Sequence, residues 1–361
     1  MKNCKVILLM VLAAVLGGQG VGAQVRTEFQ KAWPLWERED TVEVVIIGDV
    51  MMHARQLEYD HRTFLEGIRG RLEGATMAVA NMEFPLAGEP YSGYPRFAAP
   101  DAYAEYVRDC GVDVFLTANN HILDQGEMAA LRTMDIYDNM EGVQYTGISQ
   151  NDGNYPLVMA LKGIRIALIN FTYGTNLPSE EGFPKVNRMN REEVSKAIER
   201  AKMSKADFIV ALPHWGEEYV LQHSREQEKW AVWLAESGVD AIVGAHPHVV
   251  QDSTVISTWD GRKVPVFYSI GNAVSNMSAT NTRLELAVTL RFAHRRWDSP
   301  VMLPPKVEFL WCTLPGMLTD SYMTIPVREY EGRRGQWITP SDYDNMIRTL
   351  ERVSASTGIK D

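Results

Sequence analysis

The sequence predicts an α/β protein built around a largely parallel sheet, and two observations predict it. Short apolar runs alternate along the chain with segments of helical periodicity, an order that gives parallel strands joined by crossover helices. Nearly every conspicuous polar residue also falls just after one of those runs. In open α/β sheets that position, beyond a strand's carboxyl end, is where ligands bind.

The elements follow in order. Val42 to Ile47, rich in β-branched residues, reads as a strand ending in Gly48-Asp49. A helix is predicted from His61 to Leu72, then a strand from Thr76 to Ala80 that ends in Asn81-Met82-Glu83. A helix over Asp101 to Asp109 precedes the run Val112 to Leu116, which leads into Asn119-Asn120-His121. After a helix at Glu127 to Met140, the stretches Leu157 to Leu161 and Ile164 to Phe171 flank Gly163 and read as a hairpin. A helix at Arg191 to Lys202 is followed by Phe208 to Leu212, which opens into Pro213-His214-Trp215-Gly216. The helix Ser224 to Glu236 then leads to Ala241-Ile242-Val243 and to Gly244-Ala245-His246-Pro247-His248. Thr254 to Thr258 and Val264 to Tyr268, about Asp260-Gly261, form another hairpin signal, so a second β region is expected beside the first. A further strand is predicted from Leu284 to Leu290. Beyond Val327 the chain turns polar, with a terminal helix near Ser341 to Val353.

At the N-terminus, Lys2 and Lys5 precede an apolar run from Val6 to Leu16 and a small-residue stretch that ends at Gly22-Ala23. This is the pattern of a cleaved secretory signal over residues 1–23. The run is shorter than the roughly 20 residues a permanent span needs, so no stable transmembrane anchor is expected. The mature chain is expected outside the cytoplasm, periplasmic or associated with the cell envelope. Hydrophobic residues make up 45% and charged residues 23%, ordinary values for a globular chain. With no linker-like stretch to divide it, residues 24–330 read as one domain and residues 331–361 as a polar C-terminal extension with a short helix. The formal net charge is −10, and cleavage would remove two further positive charges, which disfavours a nucleic-acid surface. Beyond the leader only Cys110 and Cys312 remain, too few for a disulfide scaffold or a cysteine-based zinc cluster. Pairing and two separate buried thiols both fit the sequence.

The chemistry is most visible in His246-Pro247-His248, where two imidazoles one residue apart can both supply neutral nitrogen donors to a divalent cation. Alone the pair is a weak signal. The weight comes from Asp49, Glu83, Asn120, His121 and His214, which occupy the same topological position on other strands. A mixed set of carboxylate, amide oxygen and imidazole suits manganese, iron or zinc better than calcium or an iron–sulfur cluster.

These motifs also resemble a known family. Gly48-Asp49-Val50-Met51, Asn81-Met82-Glu83, Asn119-Asn120-His121 with Asp124 and Gly126, His214-Trp215-Gly216 with Glu218-Tyr219, Gly244-Ala245-His246-Pro247-His248 and Tyr268-Ser269-Ile270-Gly271-Asn272 match, in order, those of the CapA family, associated with poly-γ-glutamate capsule synthesis. They span Val42 to Asn276. The resemblance implies a layered α-β-β-α sandwich like that of the calcineurin-like metallophosphoesterases. By the same comparison Asn120, His214 and His246 match the better preserved metal site, with Glu83 a bridging or replacement carboxylate. Asp49 and His248 match a weaker site, and His121 matches a general acid; with Asp49 it forms the expected catalytic pair. One departure stands out: Met51 occupies the place of a ligating histidine. His53, two residues on, is expected to support the ligands or face the substrate.

The resemblance implies an exported protein of cell-envelope or capsule polymer biosynthesis. The leading expectation is a divalent-metal-dependent hydrolase acting on an anionic polymer or glycoconjugate, alongside polymer-synthesis machinery. A non-catalytic polymer-binding or assembly component and metal-assisted proton abstraction are the alternatives. Other residues receive plainer readings. His61, His223 and His294 are expected at the surface or in hydrogen bonds, and Trp230 and Trp233, three apart on a helix, in the core. Trp215 suits a pocket wall or the core equally. Arg55 and Arg96 could meet an anionic substrate, although exposed arginine is the default expectation.

Overall fold

The computed structural model describes residues 41–150, 155–179, 182–295 and 298–360. The expected secretory signal and its cleavage site lie outside the described residues. The chain divides into a unit of Val42–Phe292 with Met302–Asp361 and a second of Met1–Thr41 with Ala293–Val301. The second lies mostly outside the described residues, and the candidate site belongs to the first.

The strands are β1 (Thr41–Val50), β2 (Met77–Met82), β3 (Val114–Leu116), β4 (Gln144–Thr146), β5 (Ile148–Ser149), β6 (Leu157–Leu161), β7 (Ile164–Thr172), β8 (Lys185–Val186), β9 (Phe208–His214), β10 (Ala241–Val243), β11 (Ser253–Ser257), β12 (Lys263–Phe267), β13 (Leu284–Arg295), β14 (Asp298–Thr313) and β15 (Met323–Pro326). The helices are α1 (Arg69–Glu73), α2 (Asp101–Asp109), α3 (Glu127–Asp138), α4 (Arg191–Met203), α5 (Arg225–Ser237), α6 (Val327–Tyr330) and α7 (Pro340–Thr357). One sheet has the order β15-β14-β13-β1-β2-β3-β4 and the other β11-β12-β10-β9-β7-β6, while β5 and β8 form a small pair. Strands β1 to β4 are parallel, as are β7, β9, β10 and β12.

Alternation along the strands sets the layers, because successive side chains leave a strand on opposite faces. In β1, Val42, Val44 and Ile46 enter an apolar cluster with Val210 and Leu212 of β9 and Val243 of β10, which fills the space between the sheets. Ile47 and Val50 join the other cluster, with Tyr103 and Val107 of α2 and Met134 of α3 on the outer face. The outer face of the second sheet is covered by α4 and α5 through Val194, Ile198, Trp230 and Leu234. The result is the expected α-β-β-α sandwich.

The hairpins expected as a β region of their own are instead the two edges of the second sheet. Antiparallel β6 and β11 flank the parallel strands β7, β9, β10 and β12. Strands β14 and β15, which extend the first sheet beyond β13, were not anticipated. The expected helix over His61 to Leu72 is broken into a 3₁₀ turn at His61–Thr63 and the short α1. Its backbone is used elsewhere: the Phe64 carbonyl accepts from the Thr324 N–H at 2.8 Å, and Gly67 lies against the Thr324 carbonyl with no room for a Cβ. The terminal helix runs longer than expected, starting on Pro340 and ending at Gly358 with φ 74°. Its Met346 and Val353 enter the cluster between the sheets, so this stretch is bound into the core rather than solvated throughout. Among the described residues no helix is long and apolar enough to cross a membrane. Cys110 and Cys312 are buried free thiols.

Candidate metal centre

The carboxyl ends of both sheets converge, and the predicted polar clusters meet there. Two glycines allow the approach. Gly48 lies under the Gly271 carbonyl, and Gly244 lies against the Tyr268 carbonyl and the Trp215 indole nitrogen; a Cβ at either would collide with them. Trp215 is therefore a core residue, fully buried, with Nε1 donating to the Tyr268 carbonyl at 2.8 Å. Trp230 is buried as well, with Trp233 packed beside it.

From the first sheet, Asp49 at the end of β1 accepts from Asn81 Nδ2 at 2.7 Å. Asn119 Nδ2 in turn donates to Asn81 Oδ1 at 3.2 Å and to the Met82 carbonyl at 2.9 Å, which fixes the backbone just before Glu83. The loop after β3 is pinned to the second sheet by Asn170 of β7, whose Oδ1 accepts from the Ala118 N–H at 2.8 Å and whose Nδ2 donates to the Leu212 carbonyl at 2.8 Å. Asn120 and His121 leave that loop. Asn120 Oδ1 faces His214 Nε2 at 2.8 Å.

From the second sheet come His214, His246 and His248. Both His246, at φ 98°, and His248, at φ 58°, hold left-handed backbone, a conformation that costs a residue with a Cβ about 1–3 kcal/mol. That strain turns two residues of one turn into the same site. His248 Nδ1 lies 2.9 Å from Asn272 Oδ1 and 3.2 Å from Asp49 Oδ2, so it carries the proton and its Nε2 is left to the centre. Glu83 Oε1 sits in the middle, 3.7 Å from His214 Nε2, 3.9 Å from His248 Nε2 and 4.0 Å from His121 Nε2.

Burial governs the protonation states. It holds the Glu83 carboxyl well above the ordinary carboxylate range, with the Asp49 charge adding to the effect. It drives His214 well below the usual imidazole value, helped by His246 and His248, and His246 down to about 3. His248 moves the other way, because its hydrogen bond and charge interaction with Asp49 outweigh its own burial. His53 is pushed down to about 4, mainly by burial.

Among the donor atoms gathered at the centre, Glu83 Oε1, Glu83 Oε2 and His246 Nδ1 are buried without a hydrogen-bond partner. Leaving such atoms unpaired costs about 1–3 kcal/mol each, more for a charged group, so native folds seldom keep several together without a ligand. The donor geometry fits a divalent cation. Glu83, His214 and His246 offer ligand atoms within 4.8 Å of one another, as do Asp49, Glu83 and His248, and Glu218, His246 and His248. Glu83 is common to the first two groups.

The structure thus brings together every residue expected at the site: Asp49, Glu83, Asn120, His121, His214, His246 and His248. His53 joins none of the three donor groups; it packs edge-on against Phe97 at 5.2 Å and accepts from the Asn276 N–H at 3.2 Å. Sequence reasoning assigned no role to Asn81, Asn119, Asp124, Glu218 and Asn272, although all stand inside the quoted motifs. Asn176 and Tyr173 carried no signal. Asn176 meets His121 and Asp124, and the Tyr173 ring, half exposed, lies 4.6 Å from that of His246.

A two-sheet α/β sandwich with buried imidazole, carboxylate and amide donors at converging strand ends is the class of protein that this fold and site define. Within that class the chain belongs to the family described as bacterial capsule synthesis protein PGA_cap, whose model matches residues 43–277. It is 27% identical to the capsule biosynthesis protein CapA of Bacillus anthracis over 295 residues, 77% of this chain and 69% of that protein. It is 31% identical to the PGA biosynthesis protein CapA of Bacillus subtilis (strain 168) over 182 residues, 49% of this chain, and the match spans under half of that relative, 46%. Among solved structures it aligns with a 5'-nucleotidase precursor from Thermus thermophilus at a TM-score of 0.47 and 14% identity, covering 87% of this chain and 58% of that one. The Haemophilus influenzae NAD nucleotidase aligns at 0.46 and 10% identity, with 86% and 62% covered.

Proposed function

We propose that the chain is an exported, divalent-metal-dependent hydrolase of capsule or envelope polymer biosynthesis that acts on an anionic polymer or glycoconjugate. The observation that carries this reading is Glu83, a fully buried carboxylate with both oxygens unpartnered and three imidazole Nε2 atoms within 4.0 Å. Asn120, His214, His246 and Glu83 would hold one ion, with Asp49 and His248 beside them. Such an ion supplies Lewis acidity toward a substrate oxygen and makes water a better nucleophile near neutral pH.

The chain's own residues prepare the proton transfer. Asp124 Oδ2 lies 2.6 Å from His121 Nδ1, close enough to fix the proton on that nitrogen. Asn176 Nδ2, 3.1 Å from the same nitrogen, then serves Asp124 Oδ1 at 3.4 Å instead, since two donors cannot share one position. With Nδ1 held and the ring clasped edge-on by Phe97 at 4.6 Å, His121 Nε2 points toward Glu83 and the centre. In the protonated ring that nitrogen is placed to give a proton to a leaving group. Family membership and the names of the relatives support the polymer context.

The test is metal content by elemental analysis, followed by turnover of phosphoester and amide substrates. Wild type should carry manganese, iron or zinc, and His246→Ala should lose metal and activity together while staying folded. Unchanged metal content in folded His246→Ala would remove this ligand set. Strong binding of an anionic polymer with no turnover of any substrate would replace the hydrolase by an assembly protein.

A further inference from the structure

Given the metal-dependent centre proposed above, we infer that Glu218, exposed on the loop after β9, is itself a metal ligand. It supplies to an ion beside His248 the donor that Met51 cannot, and it makes that position oxygen-rich enough to prefer manganese. Met51 leaves the gap. Its side chain is buried in the apolar cluster with Tyr103 and Val107, and its carbonyl accepts from Tyr103 Oη and Gln56 Nε2, each at 3.3 Å. A thioether packed there offers a hard ion no ligand.

The loop after β9 runs beside the turn after β10 and is bonded to it on both sides of Glu218. The Trp215 N–H donates to the Ala245 carbonyl at 3.0 Å, and the Tyr219 N–H to the Pro247 carbonyl at 2.8 Å. Gly216 takes φ 96°, and a Cβ there would press on the Gln227 amide. Gln227 Nε2 donates to Gln251 Oε1 at 2.8 Å, and Gln251 Nε2 to the Val220 carbonyl at 2.9 Å, so buried amides fix the loop just beyond Glu218. Tyr219, at φ 68°, is a third left-handed residue alongside His246 and His248. Such strain persists where surrounding bonds over-determine a functional turn.

The outcome is a donor group. Glu218, His246 and His248 offer ligand atoms within 4.8 Å of one another, and His248 also belongs to the group with Asp49 and Glu83. An ion at His248 therefore has carboxylates within reach from the buried side and from the solvent side. His246 keeps a buried Nδ1 that no described residue satisfies, so the flank that Glu218 faces holds an unused donor. Charge argues the same way. A second dication needs further negative charge, because an uncompensated charge in a buried centre is costly, and Glu218 brings it. The two positions then differ in kind. Asn120, Glu83, His214 and His246 include two imidazoles, whereas Asp49, Glu83, Glu218 and His248 include one. Imidazole suits zinc, and carboxylate suits manganese.

The experiment titrates the full chain, stripped of metal by a chelator, with manganese and reads the paramagnetic resonance of the free ion. Wild type should bind a tighter and a weaker ion. Glu218→Gln should keep the tighter one and weaken the other by at least about tenfold, the lower bound for removing even a support of a ligand. With zinc, followed by competition with a chelating dye, the same substitution should cost less. Glu217→Gln removes the same charge one residue away, from an exposed side chain in none of the donor groups, and should bind as wild type does. Glu218 is exposed too, so its variant should melt as wild type does. Should Glu218→Gln misfold, Glu218→Asp, shorter by one methylene, must show the same selective weakening in milder form. Manganese binding unchanged in folded Glu218→Gln, an equal loss in Glu217→Gln, or a greater loss for zinc would overturn the role of Glu218 and leave the metal-dependent centre standing. No binding by wild type would overturn both.

Discussion

Asp49, Asn81 and Glu83 reach the centre from the first sheet, whereas His214, His246 and His248 reach it from the second. Burial presses on both groups and pushes them toward the same electrical state. The Glu83 carboxyl rises and the imidazoles of His214 and His246 fall, so each sheet tends to present neutral groups to the other. Across the gap, His248 and Asp49 at 3.2 Å form the pair that favours charge. A cation needs deprotonated imidazole from one side and ionised carboxylate from the other. Burial pushes His214 and His246 toward that state. It pushes Glu83 away from it, and an ion at the centre would oppose that rise.

The largest loss of turnover with the metal retained should come from His121→Asn. It sits on the first-sheet side yet contributes an imidazole, and it belongs to none of the three donor groups. The variant should keep its metal and fold but slow turnover roughly 10²- to 10⁴-fold on substrates with poor leaving groups, and less on those with good ones. Equal rates for wild type and variant across a leaving-group series would strip His121 of the acid's role.

A smaller effect is expected from the supports of the second sheet. Asn272→Ala takes away one of the two acceptors that fix the proton on His248 Nδ1, leaving Asp49 alone. Loss of such a support typically weakens metal binding by about 10- to 100-fold. Competition with a graded chelator would read this directly, and unaltered affinity would argue that His248 is not a ligand.

How far the site was legible depends on what each residue's position advertises. Asp49, Glu83, His214 and His246 each follow an apolar run, and strand topology alone carries such residues to a common edge. Asn176 follows no such run. It reaches His121 through tertiary folding of the segment after β7, which no periodicity encodes. The layers were legible because alternation in Val42-Val44-Ile46 and the 3.6-residue spacing of α4 and α5 each point to one burying face. The break in the helix after His61 was not, since it depends on β15 pairing with the Phe64 carbonyl more than two hundred residues away in sequence. Strands β14 and β15 were hidden for a related reason: their partners lie within the first sheet, and Pro304-Pro305 in β14 reads as a breaker.

The finest test of the comparison uses Glu285, a carboxylate on the acid side that belongs to none of the donor groups. Its Oε1 accepts from the Gly48 N–H at 2.6 Å, its Oε2 has no partner, and burial pushes it up to about 8, with Asp49 adding to the rise. An acid whose folded value is raised binds its proton more tightly in the native state than in the unfolded one. Its contribution to stability is thus fully present below the unfolded value of 4.5 and is lost as pH rises through about 8. Glutamine mimics the protonated acid and still accepts from Gly48. In chelated protein, Glu285→Gln should therefore match wild type near pH 4.5 and become more stable as pH rises, by up to about 1.4 kcal/mol per unit, until the gain levels off near 8. Taking the difference between variant and wild type cancels the titration of the histidines, which is the same in both. Metal content of Glu285→Gln should stay at the wild-type level, because the residue belongs to none of the donor groups and its hydrogen bond toward the centre is to the backbone of Gly48. Denaturant melts at a series of pH values decide the matter: a gain independent of pH would mean that Glu285 is ionised in the native state, and the picture of burial neutralising the acid side would fail at the residue where it is easiest to measure.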